Sequence, residues 1–161
     1  MEHEPTMNLS TNFTLADMTR NSKNLPNDPD AVQLAALTAL CVDVLQKIRD
    51  HFGPTSVNSG FRNPEVNKAA GSTAKHSQHM DGEAADIHVN GHSCEEVLAW
   101  IVAECHAGRL PVDQVIGETR HGAPPFTWIH VSHRDPALGK ANRGEFLQSF
   151  DGAHYAPLVL K

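Results

Sequence analysis

Two histidines and an aspartate are the residues of this chain whose types and spacing could do chemistry. His79 and Asp86 stand seven apart in SQHMDGEAADIHV (77–89), and His130 sits in WIHVS (128–132). Side chains alternate faces along a strand. Asp86 therefore shares a face with His88, opposite Ile87 and Val89, and His130 shares one with Trp128 and Ser132, opposite Ile129 and Val131. A carboxylate among apolar neighbours is costly unless it is paired or bound to a metal. Two imidazoles and one carboxylate form a workable zinc set with a fourth position left for water. Gly82, Ala84 and Ala85 are expected to let the chain turn tightly there and leave room for an ion and its substrate. Spacing alone keeps a second reading open, in which Asp86 pairs locally and the histidines lie on the surface. No compact HExxH pattern decides between them.

The elements that must position these residues follow from periodicity and punctuation. Thr14 with Asp17 suggests a capped short helix, TLADMTR. SKNLPNDPD reads as a loop, with Asp28 expected to cap the next helix and Pro29 in its first turn. Leu37, Cys41, Val44, Ile48 and Phe52 recur at three to four residues, which predicts an amphipathic helix stopped by Gly53-Pro54. TSVNSGF reads as a strand, PEVNKAA as a short helix, STAKHSQHMDGE as a long loop and AADIHV as a buried strand. Ser93 and Glu96 form a capping box ahead of VLAWIVAEC, which Gly108 closes. DQVIGE and FTWIHVS read as strands joined by TRHGAPP, and NRGEFLQS as helical or extended. The expected fold class is α+β, with a small, mostly antiparallel sheet flanked by helices.

Composition narrows the function classes. A chain of 161 residues with a net charge of −6 is one domain in length, 1–161, and an unlikely nucleic-acid partner. Residues 1–12 are expected to form a loose N-terminal segment. No unbroken apolar run approaches the roughly 18 residues that span a bilayer, and no membrane insertion is expected. MEHEPTMNLS lacks a basic start and an apolar core, so no secretory signal is read and synthesis in the cytoplasm is expected. Three cysteines (Cys41, Cys94, Cys105) without a CxxC argue for reduced thiols rather than a disulfide framework or a thiolate zinc site. Eleven histidines justify the search for metal ligands.

The opening stretch satisfies S-x-H-x-x-G-x-A-x-D in full, with Ser77, His79, Gly82, Ala84 and Asp86. SGFRNPEVNKAAGS precedes it, and VDQVIGE and WIHVS follow. In this order the segments closely resemble the M15-type zinc D,D-peptidases, which share the hedgehog/D-Ala-D-Ala-peptidase fold. The likeness is strongest to the small single-domain branch found in phage lysins and phage-encoded wall peptidases, and it runs from about Phe13 to the tail. It implies zinc on His79, Asp86 and His130. It implies that Arg62 faces a substrate carbonyl or carboxylate, for which a planar guanidinium is suited. It also implies that Ser77 and Gln78 contact substrate or support the ligands, and that His76 and His88 are neighbours only. His133 lies on the opposite face of its strand and should point away, while Trp128 either lines the cleft or fills core.

One departure concerns the base. Many members place an acid three residues before the last histidine ligand, where this chain has Thr127. The phage-like branch commonly carries a glutamate at the end of the preceding strand, and here Glu118 ends VIGE ahead of an extended TRHGAPPFT link. Glu118 is the expected general base, provided TRHGAPP bulges outward without moving either strand end, and His121 is the alternative. The resemblance implies a zinc-dependent hydrolase of peptidoglycan stem peptides, an endolysin or another D,D- or L,D-type murein peptidase. It would act as a monomer on the cell wall after holin- or phage-dependent release. The rival readings are a zinc-stabilised murein-binding or phage structural module without catalysis, and a metal-free interaction domain.

Overall fold

The computed structural model describes residues 6–161. Helix α1 (Leu15–Thr19) is closed by the Thr14–Asp17 capping box. The next helix runs unbroken from Ala31 to Phe52 as α2 (Ala31–Leu40), a π-helical turn (Cys41–Leu45) and α3 (Gln46–Phe52). Its cap is Asp30 and not Asp28. The Asp30 carboxylate accepts from Gln33 N while the Gln33 side chain returns to the Asp30 N–H, so Pro29 falls outside the helix. Gly53, at φ 100, ends the helix in a conformation that L side chains rarely adopt.

By length and composition the 31–52 helix could cross a membrane, although Gln33, Thr38 and Asp43 interrupt its apolar sequence. Here it is the core helix. Leu37, Leu40, Cys41, Val44, Leu45 and Ile48 are fully buried in the main apolar cluster. Each large aliphatic among them contributes roughly 1.5–3 kcal/mol by leaving water.

Strand β1 (Thr55–Ser59), α4 (Pro64–Ala69), β2 (Ala84–Val89), α5 (Cys94–His106), β3 (Gln114–Glu118), β4 (Trp128–Ser132), β5 (Glu145–Ser149) and β6 (Ala156–Pro157) complete the chain. Asn63 caps α4 with Pro64 in its first turn. Ser93 caps α5, but only half the expected box closes, because the Glu96 carboxylate turns to His92 Nδ1 at 3.1 Å. The six strands lie in the order β1-β2-β4-β3-β5-β6. All neighbours are antiparallel except β3 and β5. The architecture is α+β, as composition and periodicity suggest, and GEFLQS resolves as extended.

The segment before Phe13 is not loose over its described part. Leu9 and Phe13 are buried in the core, Asn8 bridges Thr14, and Ser10 Oγ and Asn12 N both donate to Gln46. Residues 1–5 of the expected 1–12 segment lie outside the described residues.

The register divides the sheet into two faces. Ala85, Ile87, Val89, Val115, Ile129 and Val131 are buried against the helices. Asp86, His130, Ile116, Glu118 and Trp128 occupy the other face, which forms the floor of an open cleft of about 980 Å³.

Candidate metal centre and cleft

His130 sits directly across the β2–β4 ladder from Asp86, so the strand pairing itself sets imidazole against carboxylate. His130 Nδ1 lies 3.2 Å from Asp86 Oδ1, and His79 Nε2 lies 3.4 Å from the same oxygen. One candidate ligand atom from each of the three residues falls within 4.8 Å of the others.

His79 comes from the long loop, and several bonds hold it. Its carbonyl accepts from Arg62 N at 3.0 Å, and its Nδ1 lies 2.8 Å from Gly60 O. A backbone carbonyl on Nδ1 leaves Nε2 free to ligate, the usual support for a metal-binding imidazole. Gly60 is required at that point, because a Cβ there would collide with the Met18 backbone. Gly82 answers a similar constraint. It has φ +74, and a Cβ on it would strike the Gln33 carbonyl of α2. Ala84 is fully buried and Ala85 faces the helices. Gly82 is therefore small so that the loop can pack on the core helix, whereas Ala84 shares the Asp86 face of the strand.

Arg62 follows β1 and reaches back to the site. Its Nη2 lies 3.2 Å from Asp86 Oδ2 and its Nε donates to Ser59 Oγ at 2.7 Å. The guanidinium thus steadies the carboxylate that the two histidines share. Burial pushes the Asp86 carboxyl up, but the facing His79 and His130 outweigh it and hold the group well below the usual carboxylate range. That is the condition of a ligand oxygen available at neutral pH.

Glu118 is the last residue of β3 and pairs with Trp128 across the ladder, while Ile116 pairs with His130. Thr127 N and Oγ1 both bond Glu118 O, so residues 119–127 close as a long hairpin loop with both strand ends in register. This places the Glu118 carboxylate on the His130 face, one side-chain step along, roughly 7 Å up the strand. Trp128 Nε1 donates to Glu118 Oε2 at 2.6 Å, so Trp128 lines the cleft and does not fill core. Burial, and then the charge of Asp86, raise the Glu118 pKa. His121 lies exposed in the loop and does not line the cleft.

The remaining sequence candidates separate cleanly. Ser77 and Gln78 line the cleft, but the Gln78 amide donates to Asp113 at 2.8 Å and so braces the loop. His76 pairs with Asp81 at the rim. His88 shares the Asp86 face but stands outside the three-residue cluster, with its buried Nδ1 unpartnered. His133 is fully buried on the far side, its ring nitrogens against Pro111 O and Asp43 Oδ2.

Sequence reasoning singled out Arg62 but missed the rest of the cationic rim. Arg62, Arg120, Arg134, Lys140 and Arg143 all line the cleft of a chain whose net charge is negative. Lys140 bonds the buried Glu83 at 2.6 Å, and Arg134 and Arg143 converge on the buried Asp113. Burial works to raise Asp113, and the hydrogen bonds from Arg143 and Gln78 overcome it, lowering its pKa to about 2. Arg120, Arg134, Lys140 and Arg143 come from the hairpin loop and the tail, where no local motif signals them.

The family model for Peptidase M15 matches residues 11–120, more than half of the chain. The chain belongs to the M15 peptidase family. The match takes in Arg62, His79, Asp86 and Glu118 and stops short of His130, which the β2–β4 pairing supplies. A search of curated proteins returned no match. For an M15 peptidase, a family that is generally metal-dependent, the His79–Asp86–His130 cluster is where a metal ion could be held.

Proposed function

We propose that this M15 peptidase is a zinc enzyme that hydrolyses an amide bond in the stem peptides of bacterial peptidoglycan. The observation that carries the reading is the convergence of His79, Asp86 and His130 with a second, differently tuned carboxylate one step along the same face. The donor set fits zinc: two imidazoles and one carboxylate without a thiolate, each backed by a second contact in the case of His79 and Asp86. An ion held there supplies Lewis-acid polarisation of the scissile carbonyl and acidifies water.

The chain's own residues do the rest. Glu118 Oε takes the proton of the attacking water and returns it to the leaving amine, as a carboxylate of raised pKa is suited to do. Arg62, with Nη2 on Asp86 and Nε on Ser59, keeps Nη1 for the substrate oxygen that gains charge. Ser77 lies at the cleft wall within reach of the peptide. The protein acts as a monomer, is made in the cytoplasm and reaches the wall on holin- or phage-dependent release, in the manner of an endolysin.

Mass analysis of purified murein digested with and without a chelator tests this reading. The expected result is one new pair of amine and carboxyl termini in the stem peptide, lost with the chelator and restored by zinc. Unchanged muropeptide masses with zinc-loaded protein contradict it.

A further inference from the structure

Four of the five cations lining the cleft are already paired. Arg62 binds Asp86, Arg134 and Arg143 bind Asp113, and Lys140 binds Glu83. Arg120 is the exception among the described residues, with no carboxylate within ion-pair distance. Yet its placement is specific. Its guanidinium carbon sits 4.9 Å from the centre of the Trp128 ring. It also lies close to Gly152, where an added Cβ would collide with the guanidinium. Trp128 therefore does two things at once: its edge N–H fixes Glu118, and its face seats Arg120.

We propose that Arg120 is a specificity-determining residue that captures a carboxylate of the substrate peptide on the Glu118 side of the scissile bond. A guanidinium seated over an indole loses little freedom when it binds, and among the described residues no acceptor takes the Arg120 N–H groups. Their fork matches a carboxylate in two parallel hydrogen bonds. Position supports the same ligand. Arg62 follows the end of β1 that pairs with Asp86, whereas Arg120 follows the end of β3 that pairs with Trp128. The two arginines thus approach the His79–Asp86–His130 cluster from different strand ends, with the metal ligands between them. A peptide lying across the cluster meets Arg62 near the reacting carbonyl and Arg120 near a flanking anionic group. Arg120 belongs to the 119–127 loop, so the insertion that stretches the hairpin also delivers the reader of the substrate.

The inference rests on the peptidase reading, and its test separates the two. Two stem-type peptides are compared that differ only in one carboxylate flanking the scissile bond, free in one and a carboxamide in the other. Each is assayed with zinc-loaded wild type, Arg120→Met and Arg120→Lys. The methionine keeps the apolar stem on Trp128, and thermal melting checks that each variant folds. Wild type is expected to favour the free acid by roughly tenfold or more, the scale of a hydrogen bond to a charged group. Arg120→Met should abolish that preference by raising KM for the free acid alone, any change in kcat falling equally on acid and amide, and Arg120→Lys should keep part of it. A preference that survives in Arg120→Met, or that wild type lacks, overturns the proposal. Should wild type cleave neither peptide, the peptidase reading fails, and calorimetric binding of the same two peptides decides the role of Arg120. An affinity difference that disappears in Arg120→Met supports it, and equal affinities for wild type overturn it.

Discussion

Asp86 and Glu118 stand on one face of one sheet, separated by the strand that carries His130, and their surroundings drive them in opposite directions. Burial raises both carboxyls. At Asp86 two facing histidines outweigh it and keep the group ionised far into acid. At Glu118 no such pair is present. Burial and the neighbouring Asp86 charge dominate, only partly offset by His130, Trp128 and Arg120, and its pKa rises. Two carboxylates pushed apart by environment is the pattern by which a fold assigns one to hold charge and the other to carry a proton. The difference follows from position: Asp86 lies between His79 and His130, while Glu118 sits one step away beside a tryptophan.

The largest effects should come from breaking the Asp86 side. His79→Ala and His130→Ala each remove a proposed ligand and leave Asp86 without one of its two balancing partners. Metal analysis should show loss of the bound ion in both, with activity abolished, whereas His88→Ala should keep its metal. Arg62→Ala comes next. Three ligands remain, so metal content should persist while kcat falls by about 10²–10³, the usual loss for one oxyanion donor. Arg62→Lys should recover only part, because an ammonium lacks the fork. Steady-state kinetics on one peptide substrate checks both variants.

The Glu118 side can be sharpened more gently. Trp128→Phe removes the N–H that stabilises the Glu118 carboxylate, so the Glu118 pKa should rise further. The acidic limb of the kcat/KM profile should then move to higher pH with only a modest fall in the maximum. A profile that stays in place would show that the Trp128 bond does not tune the base.

Much of this arrangement was legible in the sequence. Alternation along DIHV and WIHVS put Asp86 and His130 on polar faces, and antiparallel pairing then brought them together. The Glu118 register also follows from strand logic, since a hairpin tolerates extra loop residues without disturbing its last paired row. Other features could not be read locally. Gly82 is small for the sake of Gln33, forty-nine positions earlier in the chain, and nothing near Gly82 announces that contact. The cationic rim depends on the tail folding back to the loop, as when Arg143 and Gln78 meet at Asp113.

Asp113 supplies the smallest effect and a control for the comparison. It is buried and ion-paired like Asp86 but stands outside the metal cluster, and its pKa is lowered to about 2. A carboxyl with a lowered folded-state pKa stabilises above its unfolded value near 3.9, and that stability is lost as pH falls toward 2. Denaturant melts between pH 5 and 2 should show this loss in wild type and a flatter profile in Asp113→Asn. An unchanged slope in the variant would remove Asp113 from the acid response.

The central claim, that Asp86 holds a metal and Glu118 moves a proton, is tested most directly by measuring zinc content and turnover on the same dialysed samples of Asp86→Asn and Glu118→Gln. Asp86→Asn should lose both. Glu118→Gln should retain about one zinc per chain and lose turnover by roughly 10²–10⁴-fold, the usual worth of a general base. Full turnover in Glu118→Gln, above all beside an inactive His121→Ala, or full zinc retention in Asp86→Asn, would contradict the account.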